Sequence, residues 1–215
     1  MDLTQMTQAI LQKIPQSMIP TAADGALISE QRAFFQRHEA SLINEFYNLL
    51  YNDPSTQLII GEPSQRAHRE NTLRQWYQVT VSGNFDADYW AWQALVGIVH
   101  VKHKIPNTSV LSMWAWMMGF LQTRLLSDLP IEQAHAVIQV LQKLHATASS
   151  LIVESFLMTQ QEAITRASGL NERILGRFIN TEIDLLLKQG VKPNSPMLAY
   201  RPLPLKGHSL PLLTA

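Results

Sequence analysis

The sequence predicts an all-α protein. Apolar residues recur at helical spacing through most of its 215 residues, no segment alternates cleanly at period two, and only nine glycines occur. Prolines and Asn/Gly or Ser/Gly pairs divide the helical stretches at intervals suited to helices of ordinary length.

Taken in order, residues 2–14 read as a short leading helix stopped by Pro15, and residues 15–26 as a loop. Ser29 is the expected cap of a helix that opens with Glu30-Gln31-Arg32 and runs to about Asn52, where Asp53-Pro54 ends it. Residues 55–63 read as a connector. Residues 64–82 form the next helix, closed by Ser82-Gly83-Asn84. Residues 86–104 come next, with Asp86 and Asp88 at the start and Pro106 beyond the end. Asn107 or Thr108 opens a helix to about Ser127, and Pro130 occupies the first turn of a long helix over 131–167. Ser168-Gly169 interrupts it. An amphipathic helix spans about 170–189, and the remaining 25 residues hold five prolines and read as a mobile tail.

Composition narrows the function. Charged residues make up only 16% of the chain, against about 25% in an average domain, while apolar residues reach 46%. Part of that apolar excess is expected at a subunit interface or around a cofactor. Seventeen basic and seventeen acidic residues cancel, so nothing in the charge favours nucleic acid or an anionic membrane. With no cysteine, disulfides, thiolate chemistry, iron–sulfur clusters, cysteine zinc sites and covalent c-type haem attachment are excluded. The N-terminus has neither a basic start nor an apolar signal core, and no apolar run of about 20 residues is evident, so the expected location is the cytoplasm, away from membranes.

Two helices are unusually apolar. In 107–127, Val110, Leu111, Met113, Trp114, Trp116, Met117, Met118, Phe120 and Leu121 leave almost no polar face; in 131–167, a stripe runs from Ile131 through Ile138, Leu141, His145 and Ile152 to Phe156. Joined by a short turn, they form an antiparallel hairpin. Two copies would cover each other as a four-helix bundle, so a homodimer is expected.

Candidate chemistry centres on Val96-Gly97-Ile98-Val99-His100-Val101-Lys102-His103-Lys104-Ile105-Pro106. His100 lies near the end of an apolar helix with Val96 and Gly97 about one turn earlier. It is either a satisfied core histidine or a neutral, sheltered axial ligand for a haem iron. His103, on the next turn, makes a His-x-x-His pair with it, but no carboxylate on that face supplies a third zinc ligand. Tyr47 shares an inner face with Ile43 and Leu50 and reads either as a core tyrosine or as a hydrogen-bond donor over an iron-bound diatomic ligand. Thr72 shares a face with Trp76 and Val79. His68, one turn earlier, either looks into the same cavity or is exposed. His145 reads as a core or interface residue; His38, His135 and His208 read as solvated. No phosphate-binding glycine loop, G-x-S-x-G or H-E-x-x-H motif is present.

The ordered set Phe46-Tyr47-x-x-Leu50, Thr72-Leu73-Arg74, Ser82-Gly83 and Gly97-x-x-His100 followed by Ile105-Pro106 resembles the globin domain of bacterial globin-coupled sensors and, more distantly, the archaeal protoglobins. The resemblance covers about residues 25–165. It implies a globin fold with an extra helix at each end, non-covalent haem b, His100 as the iron ligand and Tyr47 as a donor to bound gas. Thr72, with Val96 and His68, is then expected to line the pocket. O2, CO and NO are the implied ligands, and gas or redox sensing the implied function. Two positions depart from the family pattern. His103-Lys104 stands where an apolar residue and a glycine are frequent, which puts a second imidazole near the haem edge and removes a helix-loosening glycine. Arg69 stands where leucine is frequent, and is expected to reach solvent, reach a propionate or mark a slight rotation of the helix.

The expected organisation is a globin sensor domain with its leading helix over 1–168, an additional helix over 169–190 and a proline-rich tail over 191–215. The stretch after residue 168 is too short for an output domain of the usual size. The resemblance therefore implies signalling in trans to a separate partner, through the 107–127 and 131–167 hairpin. Two other readings stand beside it: a haem enzyme of NO dioxygenase or peroxidase type, and a haem-free interaction module of globin fold.

Overall fold

A computed structural model describes residues 2–190, and these are helical with no strand among them. The helices are α1 (Leu3–Leu11), α2 (Ala22–Glu30), α3 (Arg32–Asn52), α4 (Pro54–Ile60), α5 (Arg66–Thr80), α6 (Ala87–His103), α7 (Asn107–Asp128), α8 (Ile131–Ser168) and α9 (Glu172–Gly190), with single 3₁₀ turns at Gln16–Met18 and Pro63–Gln65. The chain divides into two units, Met1–Glu162 and Ala163–Ala215. The first holds the main hydrophobic core. The described part of the second comprises the end of α8 and the amphipathic α9. The proline-rich stretch 191–215, with His208, lies outside the described residues.

Helix starts are set by short polar side chains that satisfy first-turn N–H groups. Asp2 and Gln5 form a reciprocal capping box on α1, and Thr21 and Asp24 do the same on α2. Asp53 accepts from the Ser55 amide at 2.8 Å and Asp86 from the Tyr89 amide at 2.8 Å, opening α4 and α6. Two expectations fail at these starts. Residues 15–26 are not a loop throughout: the Thr21-x-x-Asp24 box starts α2 within them, so Ser29 lies inside that helix and caps nothing, and α3 begins at Arg32. Residues 55–63 are not a plain connector: Pro54 occupies the first turn of α4, where its missing N–H costs nothing.

Helix α3 is central to the first unit and packs against α2, α4, α5 and α7, while α1 packs on α6. Its inward stripe includes Phe35, Leu42 and Ile43, all at most 1% exposed. Each such side chain contributes roughly 1.5–3 kcal/mol through burial. Polar ties cross the same interfaces. Tyr77 Oη donates to the Phe35 carbonyl at 3.0 Å, and Arg74 pairs with Glu39 at 3.3 Å, both joining α5 to α3. His38 meets Asp128 at 2.8 Å between α3 and the end of α7, so His38 is paired and largely covered, not solvated as expected. His135 is exposed as expected.

Two close approaches depend on glycine. A Cβ on Gly97 of α6 would run into the Ser155 hydroxyl and the Ile152 carbonyl of α8, so the two helices cross there with backbone nearly touching backbone. Gly25 of α2 and Gly83 after α5 oppose each other in the same way, a Cβ on either meeting the carbonyl of the other.

Helix α8 is long and apolar enough, by length and composition, to cross a membrane, contrary to the expectation that no such segment exists. Of its most apolar 18-residue stretch, 56% is buried within the protein, and Leu144, Ala148, Leu151 and Ile152 are among the buried residues of the helix. Its apolar character serves the core.

Candidate functional site

Helices α3 to α8 line a partly open cavity of about 390 Å³. That falls in the range of small-molecule and cofactor sites. Helix α3 contributes Phe46, Tyr47 and Leu50; α4 contributes Thr56, Ile59 and Ile60. From α5 come Arg69, Thr72, Leu73 and Trp76, an i, i+3, i+4, i+7 stripe. From α6 come Trp92, Leu95, Val96, Val99 and His100, again at helical spacing. Helix α7 supplies Val110, Met113, Trp114 and Met117, and α8 supplies Ile152. Among the described residues no carboxylate lines the cavity.

His100 is positioned by the way α6 ends. Lys104 takes a left-handed conformation, φ 54° and ψ 34°. The Ile105 amide then donates back to the His100 carbonyl at 3.0 Å and the Lys104 amide to the Val101 carbonyl at 3.1 Å. This pair of bonds is a Schellman closure. It folds Ile105 onto the same cavity wall as His100. The chain therefore ends the helix at Lys104 without the glycine that the family pattern led us to expect there.

Burial, helped by repulsion from His103, pushes the His100 imidazole down to about 4. It is neutral at pH 7, the form that coordinates metals. Its Nδ1 is buried without a hydrogen-bond partner among the described residues. Such a nitrogen in an apolar wall is unusual for a merely structural histidine. Tyr47 is buried, and desolvation raises its phenol to about 12, so it remains protonated and able to donate. Among the described residues no three of His, Cys, Asp and Glu gather as a metal cluster, so the His100/His103 pair has no third ligand. The residues present suit a flat, apolar group whose metal takes one protein nitrogen, which is what a haem requires.

Of the residues singled out from sequence, His100, Tyr47, Thr72 and Val96 line the cavity. His68 and His103 do not; both are exposed. Helix α5 turns Arg69 inward, and His68, one residue earlier, points elsewhere. His103 lies at the last turn of α6, past the point where that helix leaves the cavity. Val79 is exposed, as is Thr72, which still lines the cavity beside Trp76, Leu73 and Arg69. Sequence reasoning missed the α4 wall altogether. It assigned no site role to Trp92, Met113 or Trp114, whose apolar character reads the same for core and cofactor wall. Behind that wall Trp114 stacks on His145, ring centroids 5.3 Å apart, and meets Trp76 edge-on at 5.1 Å. Trp76 Nε1 donates to buried Gln93 at 3.1 Å.

A helical fold built around an apolar pocket with one inward, neutral histidine defines a globin. The chain belongs to the protoglobin family, whose model matches residues 7–162. Membership of a globin family implies haem binding. The fold is similar to the globin domain of a Geobacter sulfurreducens globin-coupled sensor, with a TM-score of 0.60 and 18% identity over 63% of this chain and 90% of that one. It is also similar to the ferric and ferrous globin domains of E. coli DosC, with TM-scores of 0.50 and 0.51 and 16% identity, over 70% of this chain and 97% of theirs. No curated protein sequence matches the chain.

Proposed function

We propose that this chain binds haem b non-covalently and takes up small diatomic gases reversibly, as a gas or redox sensor that signals to a separate partner. The observation that carries the reading is the meeting of a neutral imidazole, His100, whose Nδ1 has no partner among the described residues, and a protonated phenol, Tyr47, in one apolar cavity. When bound, haem supplies an iron centre with affinity for O2, CO and NO. His100 provides the nitrogen that holds that centre, at a backbone position fixed by the turn at Lys104. Tyr47 offers a hydrogen bond to the negative end of a gas molecule, which slows its escape. Leu73, Val96 and Met113 give the bound species apolar surroundings.

An absorption spectrum of the purified protein tests this. A strong Soret band, lost in His100→Ala, is expected; a colourless protein that also refuses added haem sinks the proposal. We further propose that two copies associate through α7 and α8, because Leu111, Leu126, Ile131 and Leu157 stay exposed on those helices. Sedimentation should give a mass near twice 24.3 kDa, and a monomer at high micromolar concentration would refute it.

A further inference from the structure

The cavity contains one permanent charge, and the gas-binding reading makes no use of it. Arg69 lies on the inward stripe of α5, with one guanidinium nitrogen donating to Gln65 Oε1, a turn earlier, at 3.1 Å. Its Nε is buried and has no acceptor among the described residues. Arg37, Arg66, Arg74 and Arg124 each have a carboxylate partner: Asp128, Glu70, Glu39 and Glu45. Arg69 has none among the described residues, and no carboxylate lines its cavity. A sheltered guanidinium N–H without a counter-charge leaves strong hydrogen-bonding capacity unfilled. Tyr47 lines the same space and feels the Arg69 charge, which opposes the effect of burial on its phenol. A fixed cation and a neutral O–H donor thus serve one pocket.

We propose that Arg69 is a specificity-determining residue that lets this pocket take small monoanions as well as neutral diatomic molecules, holding the anion by a charge-assisted hydrogen bond with Tyr47 as second donor. The proposal rests on the haem reading and deepens it. An anion gains a full charge–charge contact and a short N–H hydrogen bond from Arg69, whereas a neutral diatomic gains only a dipole contact. Arg69 also cannot lose its proton, so this capacity persists across the physiological pH range.

The test uses the full-length, haem-loaded protein as wild type, Arg69→Leu and Arg69→Lys. Sodium fluoride is titrated against the ferric form and carbon monoxide against the ferrous form, both followed by absorption. Fluoride affinity should fall about tenfold or more in Arg69→Leu, as expected for loss of a charged hydrogen bond, and be partly restored in Arg69→Lys. Carbon monoxide affinity should change less than about twofold. Far-UV circular dichroism checks that the variants are folded. A clear Soret band with equal fluoride affinity in wild type and Arg69→Leu overturns this proposal alone. So does a variant that loses haem but binds fluoride normally in its loaded fraction, since Arg69 would then be holding the haem edge. A wild type with no Soret band overturns the haem reading and this one with it.

Discussion

At the scale of single residues, Lys104 sets a small conflict between backbone and side chain. Its left-handed conformation, φ 54°, is the only positive φ at a non-glycine position among the described residues. The turn at the end of α6 needs that conformation, and an L residue with a Cβ enters it at a cost of about 1–2 kcal/mol. Lys104→Gly should therefore raise stability by up to about 1 kcal/mol, after allowing for the greater freedom of glycine in the unfolded chain. Denaturant unfolding measures this, and a variant less stable than wild type would show that the lysine side chain contributes more than the strain costs. His145 carries a second residue-scale prediction. Burial against Trp114 lowers its proton affinity below the ordinary value of 6.5, and its Nε2 has no partner among the described residues. The unfolded state then binds the proton more readily than the folded one, so this contribution to stability is complete above pH 6.5 and is lost as pH falls below it. His145→Phe, which keeps a ring against Trp114, should lose stability less steeply between about pH 7 and pH 5. Parallel slopes in urea titrations across that range would count against the assignment.

At the scale of elements, Gly97 decides how closely α6 can lie on α8. Alanine is the better helix former by about 1 kcal/mol. Its methyl group would nevertheless press on the Ile152 carbonyl and the Ser155 hydroxyl, and overpacking of that kind costs roughly 1–3 kcal/mol. Gly97→Ala should therefore be destabilising despite the gain in propensity, with a lower thermal midpoint and weaker haem retention because His100 rides on the same helix. An unchanged midpoint would mean that α6 shifts freely. The helices legible in the sequence are those with a long apolar stripe, such as α3, α6 and α8, because packing one face on a core imposes the period. The short ones are not. Helix α4 offers only seven residues and one fully buried side chain, Ile60, so it shows little periodicity, and Asp53-Pro54 reads as an ending when it is both the end of α3 and the start of α4. Helix α2 announces itself only by Thr21-x-x-Asp24, hidden between Pro20 and Gly25. On α5, the exposed alternative for His68 and the rotated alternative for Arg69 are the ones the structure adopts. Charge alone argues against an inward arginine, and hydrophobic patterning has no means to place one there.

At the scale of the whole molecule, the cavity depends on one unit. Its lining runs from Phe46 to Ile152, entirely inside Met1–Glu162. A chain cut after Ser168 should fold and keep its Soret band, with a thermal midpoint within a few degrees of the full-length protein. Loss of the band on truncation would show that the C-terminal unit helps hold the haem. The family resemblance is readable because three separated positions, Tyr47, Thr72 and His100, have to reach one cavity, and their spacing in the chain reflects that requirement. The backbone contact between Gly25 and Gly83 leaves no such record of itself in side-chain pattern, yet it constrains the genetics of the protein. A Cβ at either position strikes the carbonyl of the other, and every amino acid carries that carbonyl. No change at residue 83 can relieve a clash created at residue 25, or the reverse. A selection for suppressors of Gly25→Ala should return true revertants and distant compensators, and none at the partner position.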